Sequence, residues 1–293
     1  LAASGIEELK RLSGGEKPFL LALGFYKPHL PHNAPKKCWD MFPAERVGMP
    51  DNFHPPANVD ASIAIHKSVE LTAHYHWPSG VGNIGREEAI RQRRAYYAAV
   101  AYVDGQIGRV LDALKELDCA RRTIVVLWSD HGWQLGEHRM FSNHSNYEVA
   151  TNSPLIIKTP RMSRPGSPAD GLVEAVDLFP TLTDLCGLPT PEGLAGRSLR
   201  GMVEDCGAPG KEGTYSTHGG GRGFRGHALR TDRYRLVRWI NADGDVGLVD
   251  LYDQEKDPGE NVNIAGQHPD AVEELTEKLA AKMSQVVRSS HAE

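Results

Sequence analysis

An apolar run that ends in an acidic residue and a histidine is the feature that most constrains the fold of this chain. Residues 123–128, Thr-Ile-Val-Val-Leu-Trp, are rich in β-branched side chains and predict a buried strand. Ser-Asp-His-Gly follows at 129–132, so Asp130 and His131 lie side by side where the strand ends. Ligands bind at that edge of open α/β sheets, and Asp and neutral His both bind metals. Two interpretations stay open on these residues alone: a metal site, or a turn in which Asp130 caps the next segment and His131 is solvated.

The composition restricts the class of protein. The 293 residues are 40% hydrophobic and 24% charged, which is typical of a globular protein with a large core. The formal net charge of −5 argues against a general nucleic-acid binder. No apolar stretch approaches the roughly 18 residues of a membrane span. The four cysteines have no metal-type spacing, and a Cys186–Cys206 disulfide and free thiols both stay open.

Strand-like and helix-like segments alternate over the first two thirds of the chain. Short apolar runs at 19–23 and 154–158 predict buried strands, and 86–117 predicts a long helix. The apolar stripe of that helix is predicted to consist of Tyr97, Val100, Ile107, Leu111 and Leu114. Asp104 lies on this stripe and is expected to be a structural, hydrogen-bonding carboxylate. The order of elements predicts an α/β fold with a mixed, mainly parallel sheet flanked by helices.

A glycine-rich region separates this part from the rest. Residues 193–226 contain many glycines, three of them in a row at 219–221, and predict a domain boundary. The elements expected beyond it are strands at 228–239 and 247–252 and an amphipathic helix at 269–287. We therefore predict a main domain at 1–210 and a smaller domain, with a small antiparallel sheet and a C-terminal helix, at 211–293.

Four motifs occur in a fixed order over most of the chain. They are the segment 18–31 with its Lys-Pro-His turn, the Tyr-Tyr-Ala-Ala-Val helix at 96–111, Ser-Asp-His-Gly-Trp-Gln-Leu-Gly-Glu-His at 129–138, and Leu-Tyr-Asp with Asp-Pro-Gly-Glu-Asn at 251–261. Together they resemble the type I, formylglycine-dependent sulfatases, in the iduronate-2-sulfatase-like branch. The resemblance implies an alkaline-phosphatase-like α/β fold and hydrolysis of a sulfate monoester on a carbohydrate. It also implies a secreted, periplasmic or lysosomal protein, although the residues themselves do not fix the compartment.

The resemblance implies a metal site that this chain holds only in part. Asp130 and His131 match two metal ligands of the family, whose metal is usually calcium, whereas chemistry alone leaves magnesium, manganese and zinc open. Family members add an adjacent Asp pair and a formylglycine nucleophile made within a Cys/Ser-x-Pro-Ser-Arg motif. Neither the motif nor an Asp-Asp pair occurs in these residues. We therefore expect this chain to be the C-terminal part of a longer sulfatase, with the nucleophile upstream, and to be inactive alone.

Three further residues are candidates for contact with substrate. His29 follows Lys27 in a loop stiffened by prolines, and the resemblance implies that it contacts the sulfate or the leaving oxygen. Lys27 is a second candidate for binding the anion. Asn143 stands where the family has a lysine that holds sulfate, and an amide offers hydrogen bonds without charge. His144 is an alternative at that place if it is protonated or if the loop shifts.

Other interpretations stay open beside the sulfatase hypothesis. A phosphoesterase of the same superfamily would need a Ser or Thr nucleophile upstream and would prefer zinc or manganese. A non-catalytic descendant that binds sulfated glycans is suggested by Asn143. The irregular segment 39–85 carries four histidines, at 54, 66, 74 and 76, whose spacing matches no metal motif. We expect these histidines at the surface, in a segment that in a sulfatase-like fold contributes to the substrate rim.

Overall fold

Helices and strands are both present in the computed structural model, which describes residues 1–66, 70–71, 75, 84–162 and 164–289. The α-helices are α1 Ala2–Ser13, α2 Lys36–Trp39, α3 Ala61–Ala64, α4 Arg86–Glu116, α5 Glu148–Thr151, α6 Leu178–Leu185, α7 Arg200–Glu204 and α8 Pro269–Ser289. The strands are β1 Val125–Trp128, β2 Gln134–Leu135, β3 Phe141–Ser142, β4 Leu155–Lys158, β5 Thr214–Gly219, β6 Arg225–Arg230, β7 Tyr234–Ile240 and β8 Val246–Asp253. None of the described helices is long and apolar enough to cross a membrane.

The described residues form two compact units. The first comprises the described parts of Leu1–Asp51, Val69–Val125 and Thr159–Arg161. The second comprises those of Asn52–Ser68, Val126–Lys158 and Met162–Glu293. The domain border at residue 210 remains a prediction.

The long helix α4 organises the first unit, and it confirms the predicted helix to within a residue. Glu87 and Glu88 lie in its first turn and Lys115 in its last, where their charges favour the helix dipole. The predicted stripe is confirmed as buried only at Leu114, since Val100 and Leu111 are exposed and Tyr97 and Ile107 are half-buried. Apart from Leu114, the helix buries small residues, namely Ala89, Ala95, Ala98, Ala99, Val103 and Ala113. Asp104 is exposed as well, so its expected place on a buried stripe is also wrong.

Strands β1 and β4 pair with each other in a two-stranded sheet, which confirms both predicted strands. They are less buried than predicted, because Trp128 and Ile156 are 53% and 60% exposed. Residues 19–23 form no strand, although all of them are described. Their side chains alternate between half-buried and exposed, and Leu20 is 84% exposed. The apolar pattern is that of a strand, but no described residue pairs with this segment as a strand partner.

A four-stranded antiparallel sheet in the order β5-β6-β7-β8 dominates the second unit. Leucines of the sheet pack against α8 in one cluster of Leu229, Leu236, Leu251, Leu275 and Leu279. The terminal helix and β8 confirm the predicted elements. The single strand predicted at 228–239 is wrong, because a turn at 231–233 divides it into β6 and β7. Strand β5 lies inside the region that we predicted to be a glycine-rich boundary.

A buried ionic network fixes the short helix α5 to the sheet. Arg235 on β7 is 2% exposed, and its Nε donates to Glu260 Oε1 at 2.6 Å. The same guanidinium also binds Glu148, the first residue of α5, and donates to Thr151 Oγ1 at 3.1 Å. Glu260 in turn accepts a hydrogen bond from the Glu148 backbone N–H at 2.7 Å. Buried charges of this kind are tolerated only when they are fully paired, so the network sets the position of α5.

Candidate active site

The turn after β1 places the Asp130 and His131 side chains against each other. Asp130 Oδ2 and His131 Nε2 are 3.6 Å apart, and the two side chains are 74% and 29% exposed. His131 Nδ1 lies 2.9 Å from the Gly132 carbonyl oxygen. A carbonyl only accepts, so Nδ1 is the donor in this contact, and Nε2 is the ring nitrogen that faces the carboxylate.

Backbone hydrogen bonds hold this turn against α5 and the start of β4. The Ser129 N–H donates to the Pro154 carbonyl at 3.1 Å, and the Gly132 N–H donates to the Ala150 carbonyl at 2.8 Å. Ser129 Oγ also donates to the His131 carbonyl at 2.8 Å. The approach at Gly132 is so close that a Cβ there would lie 2.2 Å from the Val149 carbonyl oxygen. Only glycine fits, which explains the Gly in the Ser-Asp-His-Gly motif.

The side-chain atoms of Asp130 and His131 fit part of a metal site. A carboxylate oxygen and the Nε2 of a neutral imidazole are both ligand atoms for a divalent cation, and here the two atoms face each other. Two ligands do not close a site. Among the described residues, no group of three or more His, Cys, Asp or Glu side chains is placed to hold a metal ion. The pair therefore needs partners from elsewhere, and the assignment of calcium stays a prediction.

The Gly-Glu-His part of the long motif has a structural role. Gly136 adopts φ +114°, and Glu137 Oε2 accepts the Leu135 N–H at 2.6 Å. His138 is buried at φ +52°, and its ring lies 4.5 Å from that of Tyr147. Burial lowers the pKa of His138 to about 4, so the ring is neutral at physiological pH. This histidine packs the loop in place and does not face the Asp130–His131 pair as a third ligand.

Asn143 follows β3 in the same unit as Asp130 and His131. It is half-buried, and its Oδ1 accepts a hydrogen bond from Ser142 Oγ at 3.0 Å. Strand β3 pairs with β2 in the register Gln134↔Ser142. This pairing connects the loop that bears Asn143 to the segment that follows the metal pair. A substrate contact by Asn143 stays a prediction.

Lys27 and His29 lie in the first unit. His29 Nδ1 is 2.9 Å from the Leu30 carbonyl oxygen, and Nε2 is 3.3 Å from Glu70 Oε1. Lys27 Nζ donates to the carbonyls of His29, at 3.4 Å, and of Pro31. Burial lowers the pKa of Lys27. Both predicted substrate contacts stay predictions.

Sequence analysis missed Glu70 and the partners of His66. Glu70 lies 41 positions beyond His29, and no spacing rule connects the two. His66 was expected at the surface, but it is half-buried beside His144 and His218. His54 is exposed as predicted, while residues 74 and 76 lie outside the described part of the chain. All four cysteines are free thiols, which decides against a Cys186–Cys206 disulfide.

Comparison with known proteins places these features in one class. A family model described as Sulfatase matches residues 2–188, and one described as N-sulphoglucosamine sulphohydrolase, C-terminal, matches residues 136–289. The solved structure of a 2-O GAG sulfatase superposes with a TM-score of 0.73 at 26% identity, covering 99% of this chain and 64% of that one. The fold is thus an incomplete α/β fold of the alkaline-phosphatase-like class, as expected.

Relatives with curated names agree with this class. A sulfatase of Formosa agariphila is 35% identical over 250 residues, which cover 85% of this chain and 46% of that protein. Human iduronate 2-sulfatase is 34% identical over 217 residues, which cover 64% of this chain and 39% of that protein. The chain belongs to the sulfatase family. It spans less than half the length of these two relatives.

Proposed function

We propose that this chain supplies metal-binding and sulfate-contacting residues to a sulfuric ester hydrolase that acts on sulfated carbohydrates. The observation that carries the proposal is the facing of Asp130 and His131 at 3.6 Å beyond β1. Membership of the sulfatase family supports the reaction. The names iduronate 2-sulfatase and 2-O GAG sulfatase among the similar proteins support a sulfated sugar as substrate.

Each candidate residue has a role that its chemistry allows. Asp130 and His131 would hold a divalent cation, which we propose is calcium, and a bound cation neutralises charge on the sulfate oxygens. His29 donates a hydrogen bond to the sulfate or to the leaving-group oxygen, and Lys27 adds positive charge. Asn143 donates from its amide where a charged residue would bind more strongly.

The nucleophile is expected upstream of these residues. The Cys/Ser-x-Pro-Ser-Arg motif, in which the formylglycine forms, does not occur in the 293 residues. We therefore expect no turnover of an aryl sulfate by this chain alone, with or without calcium. Robust turnover would contradict this assignment, and an in-frame motif of this kind upstream of Leu1 would support it.

Calcium binding tests the metal site directly. We expect calorimetric titration of the 293-residue chain to show weak binding, because the chain offers two ligands only. Asp130→Ala should weaken it about 100-fold or more, since even outer-shell partners of a metal contribute 10–100-fold to affinity. Asp104→Ala is the matched control, because Asp104 is an exposed carboxylate on α4. Equal affinities in the two variants would exclude the site.

A second candidate function is binding of sulfated glycans without turnover, and Asn143 is the observation that favours it. The product of the complete gene distinguishes the two functions, with aryl sulfate and aryl phosphate as substrates. The hydrolase proposal expects preference for the sulfate, loss of turnover in Asp130→Ala, and faster turnover in Asn143→Lys. Glycan binding with no turnover in either the native protein or Asn143→Lys would favour the binding function. Preference for the phosphate would favour a phosphoesterase.

A further inference from the structure

Three histidines from distant parts of the sequence meet in the second unit. His66 follows α3, His144 lies in the loop after β3, and His218 is on β5. The ring centroids of His144 and His218 are 5.5 Å apart, and the two ring planes lie within 9° of parallel. His66 completes the group at 6.3 Å from His144 and 6.4 Å from His218. We refer to these three residues as the histidine cluster.

Close backbone packing brings α3 to the end of β5. A Cβ on Gly221 would lie 1.8 Å from the Ser62 carbonyl oxygen, so a side chain there would push α3 away from the sheet. The glycine run at 219–221 thus allows His66 to reach His218. It has a packing role that composition alone did not reveal.

A second set of contacts fixes the loop that carries His144. Asn146 Nδ2 donates to the Gly226 carbonyl at 3.0 Å, and Ser216 Oγ donates to Asn146 Oδ1 at 3.0 Å. Asn146 is buried, so these bonds hold the loop on strands β5 and β6. The cluster is therefore assembled by tertiary contacts on all three of its members.

The surroundings of the cluster offer hydrogen-bond donors and basic groups. Among the described residues, the titratable groups that act on His218 include His144 and Arg225, and those that act on His66 include His218 and His144. Burial and these neighbours lower the pKa of His66 to about 4 and also lower that of His218. On the adjoining elements, Asp60 and Arg222 pair with each other at 3.8 Å.

A buried amide adds a further donor. His66 Nε2 lies 3.4 Å from Gln134 Oε1, and Gln134 is fully buried. Among the described residues, Gln134 Nε2 has no hydrogen-bond partner. Leaving such a group unpaired costs free energy, so a ligand that accepts hydrogen bonds would be stabilised beside it. An anion would accept hydrogen bonds from the Gln134 amide and from ring N–H groups of His144 and His218.

We propose that His66, His144, His218 and Gln134 form a subsite for a second anionic group of the substrate, a sulfate or a carboxylate on the sugar. The assignment of this anion to the substrate rests on the proposed function, whereas anion binding itself does not. Arg225, an exposed base on β6, adds positive charge beside the subsite. Because no described group of three His, Cys, Asp or Glu residues is placed for a metal ion, the donors favour an anion over a cation.

Histidine NMR signals of the full 293-residue chain test the subsite. Sodium sulfate is compared with sodium chloride at equal ionic strength, and glucuronate with glucose, so that sulfate and carboxylate are tested separately. We expect sulfate, glucuronate or both to shift the signals of the cluster and to raise the pKa values of its rings. The double variant His144→Gln/His218→Gln should bind at least about tenfold more weakly, as expected for lost charge-assisted hydrogen bonds. His54→Gln, which alters an exposed histidine outside the cluster, should bind like the native chain.

The outcomes separate this inference from the proposed function. Anion binding that survives Asp130→Ala but not the double variant supports the subsite even if the metal site fails. Equal binding in the double variant and His54→Gln would overturn it. A response to zinc chloride with none to sulfate or glucuronate would overturn it too. If the double variant does not fold, the pKa values of the native cluster with and without the anions decide, and unchanged values reject the subsite.

Discussion

The Asp130–His131 pair and the histidine cluster lie in the same unit but present different chemistry. The pair offers a carboxylate oxygen and an imidazole Nε2 at an exposed strand end. The cluster offers imidazole N–H groups in half-buried surroundings, the Gln134 Nε2 group, which has no partner among the described residues, and the neighbouring Arg225 cation. Exposed acceptors suit a cation, and half-buried donors suit an anion. A substrate with a sulfate ester and a second acidic group would use both.

The two sites also differ in how the chain builds them. Adjacent residues in one turn form the pair, and the turn depends on the close approach at Gly132. Three separate segments form the cluster, and their meeting depends on the close approach at Gly221. Each site can therefore be disrupted without the other. We expect a change to disrupt both only if it destabilises the whole unit, as loss of the buried ionic network of Arg235, Glu148 and Glu260 would do.

The largest loss of unfolding free energy is expected when the ionic network of Arg235 is broken. Arg235→Met removes the cation that pairs with Glu260 and Glu148, and leaves both carboxylates without their buried partner. Breaking a buried pair in this way costs about 3–5 kcal/mol, which urea unfolding would measure. Arg200→Met is the control, because Arg200 forms exposed ion pairs only and should have a much smaller effect. Similar losses in the two variants would show that the network does not support the unit.

Gly132→Ala should damage the pair selectively. The added methyl group would meet the Val149 carbonyl, so the turn must move at a cost of about 2–3 kcal/mol in unfolding free energy. The His131 signal should lose its response to calcium, while the cluster keeps its response to sulfate. Gly105→Ala on α4 is the control, because nothing lies near its Cβ and alanine favours a helix. A calcium response like that of the native chain would contradict the role of the turn.

Gly221→Ala should give the opposite pattern at a similar cost of about 2–3 kcal/mol. The methyl group would meet the Ser62 carbonyl and separate α3 from β5. Anion binding by the cluster should weaken, and the response of His131 to calcium should persist. Retention of full anion affinity would mean that His66 is dispensable for the subsite.

The smallest effect concerns pH. The pKa of His66 is lowered to about 4 in the folded chain, below the ordinary value of about 6.5. Between pH 4 and pH 6.5 the unfolded state binds more protons at this residue than the folded state does. The contribution of His66 to the unfolding free energy is therefore complete above about pH 6.5 and is lost as the pH falls toward 4. The loss attributable to His66 between pH 7 and pH 5 is about 1–2 kcal/mol. Urea unfolding at both pH values should show a smaller loss in His66→Gln, and an equal loss would contradict the assignment.

Local patterns predicted the strand β1, the turn after it and the helices α4 and α8, because their signals are contiguous in sequence. The buried face of α4 was predicted wrongly, since α1 and α2 pack on this helix and its small alanines fill the contact. The division between β6 and β7 was missed because the turn Thr-Asp-Arg at 231–233 contains neither glycine nor proline. Residues 19–23 carry a strand pattern, but a pattern cannot supply a pairing partner.

The same limit applies to the candidate sites: contacts between neighbours in the sequence could be predicted, and contacts between distant residues could not. Asp130 and His131 are neighbours, so their proximity follows from the sequence itself. His66 and His218 are 152 positions apart, and only the close packing at Gly221 brings them together. Glu70 beside His29 likewise follows from tertiary structure alone.

One NMR measurement tests the central claim, that the second unit holds a cation site and an anion site built from separate residues. Histidine ring signals of the native 293-residue chain are followed through a calcium titration and then through a sulfate titration. We predict that calcium shifts His131 and leaves His66, His144 and His218 in place, whereas sulfate shifts those three and leaves His131 unchanged. Calcium and sulfate acting on the same histidines, or neither ion acting on any of them, would contradict the account.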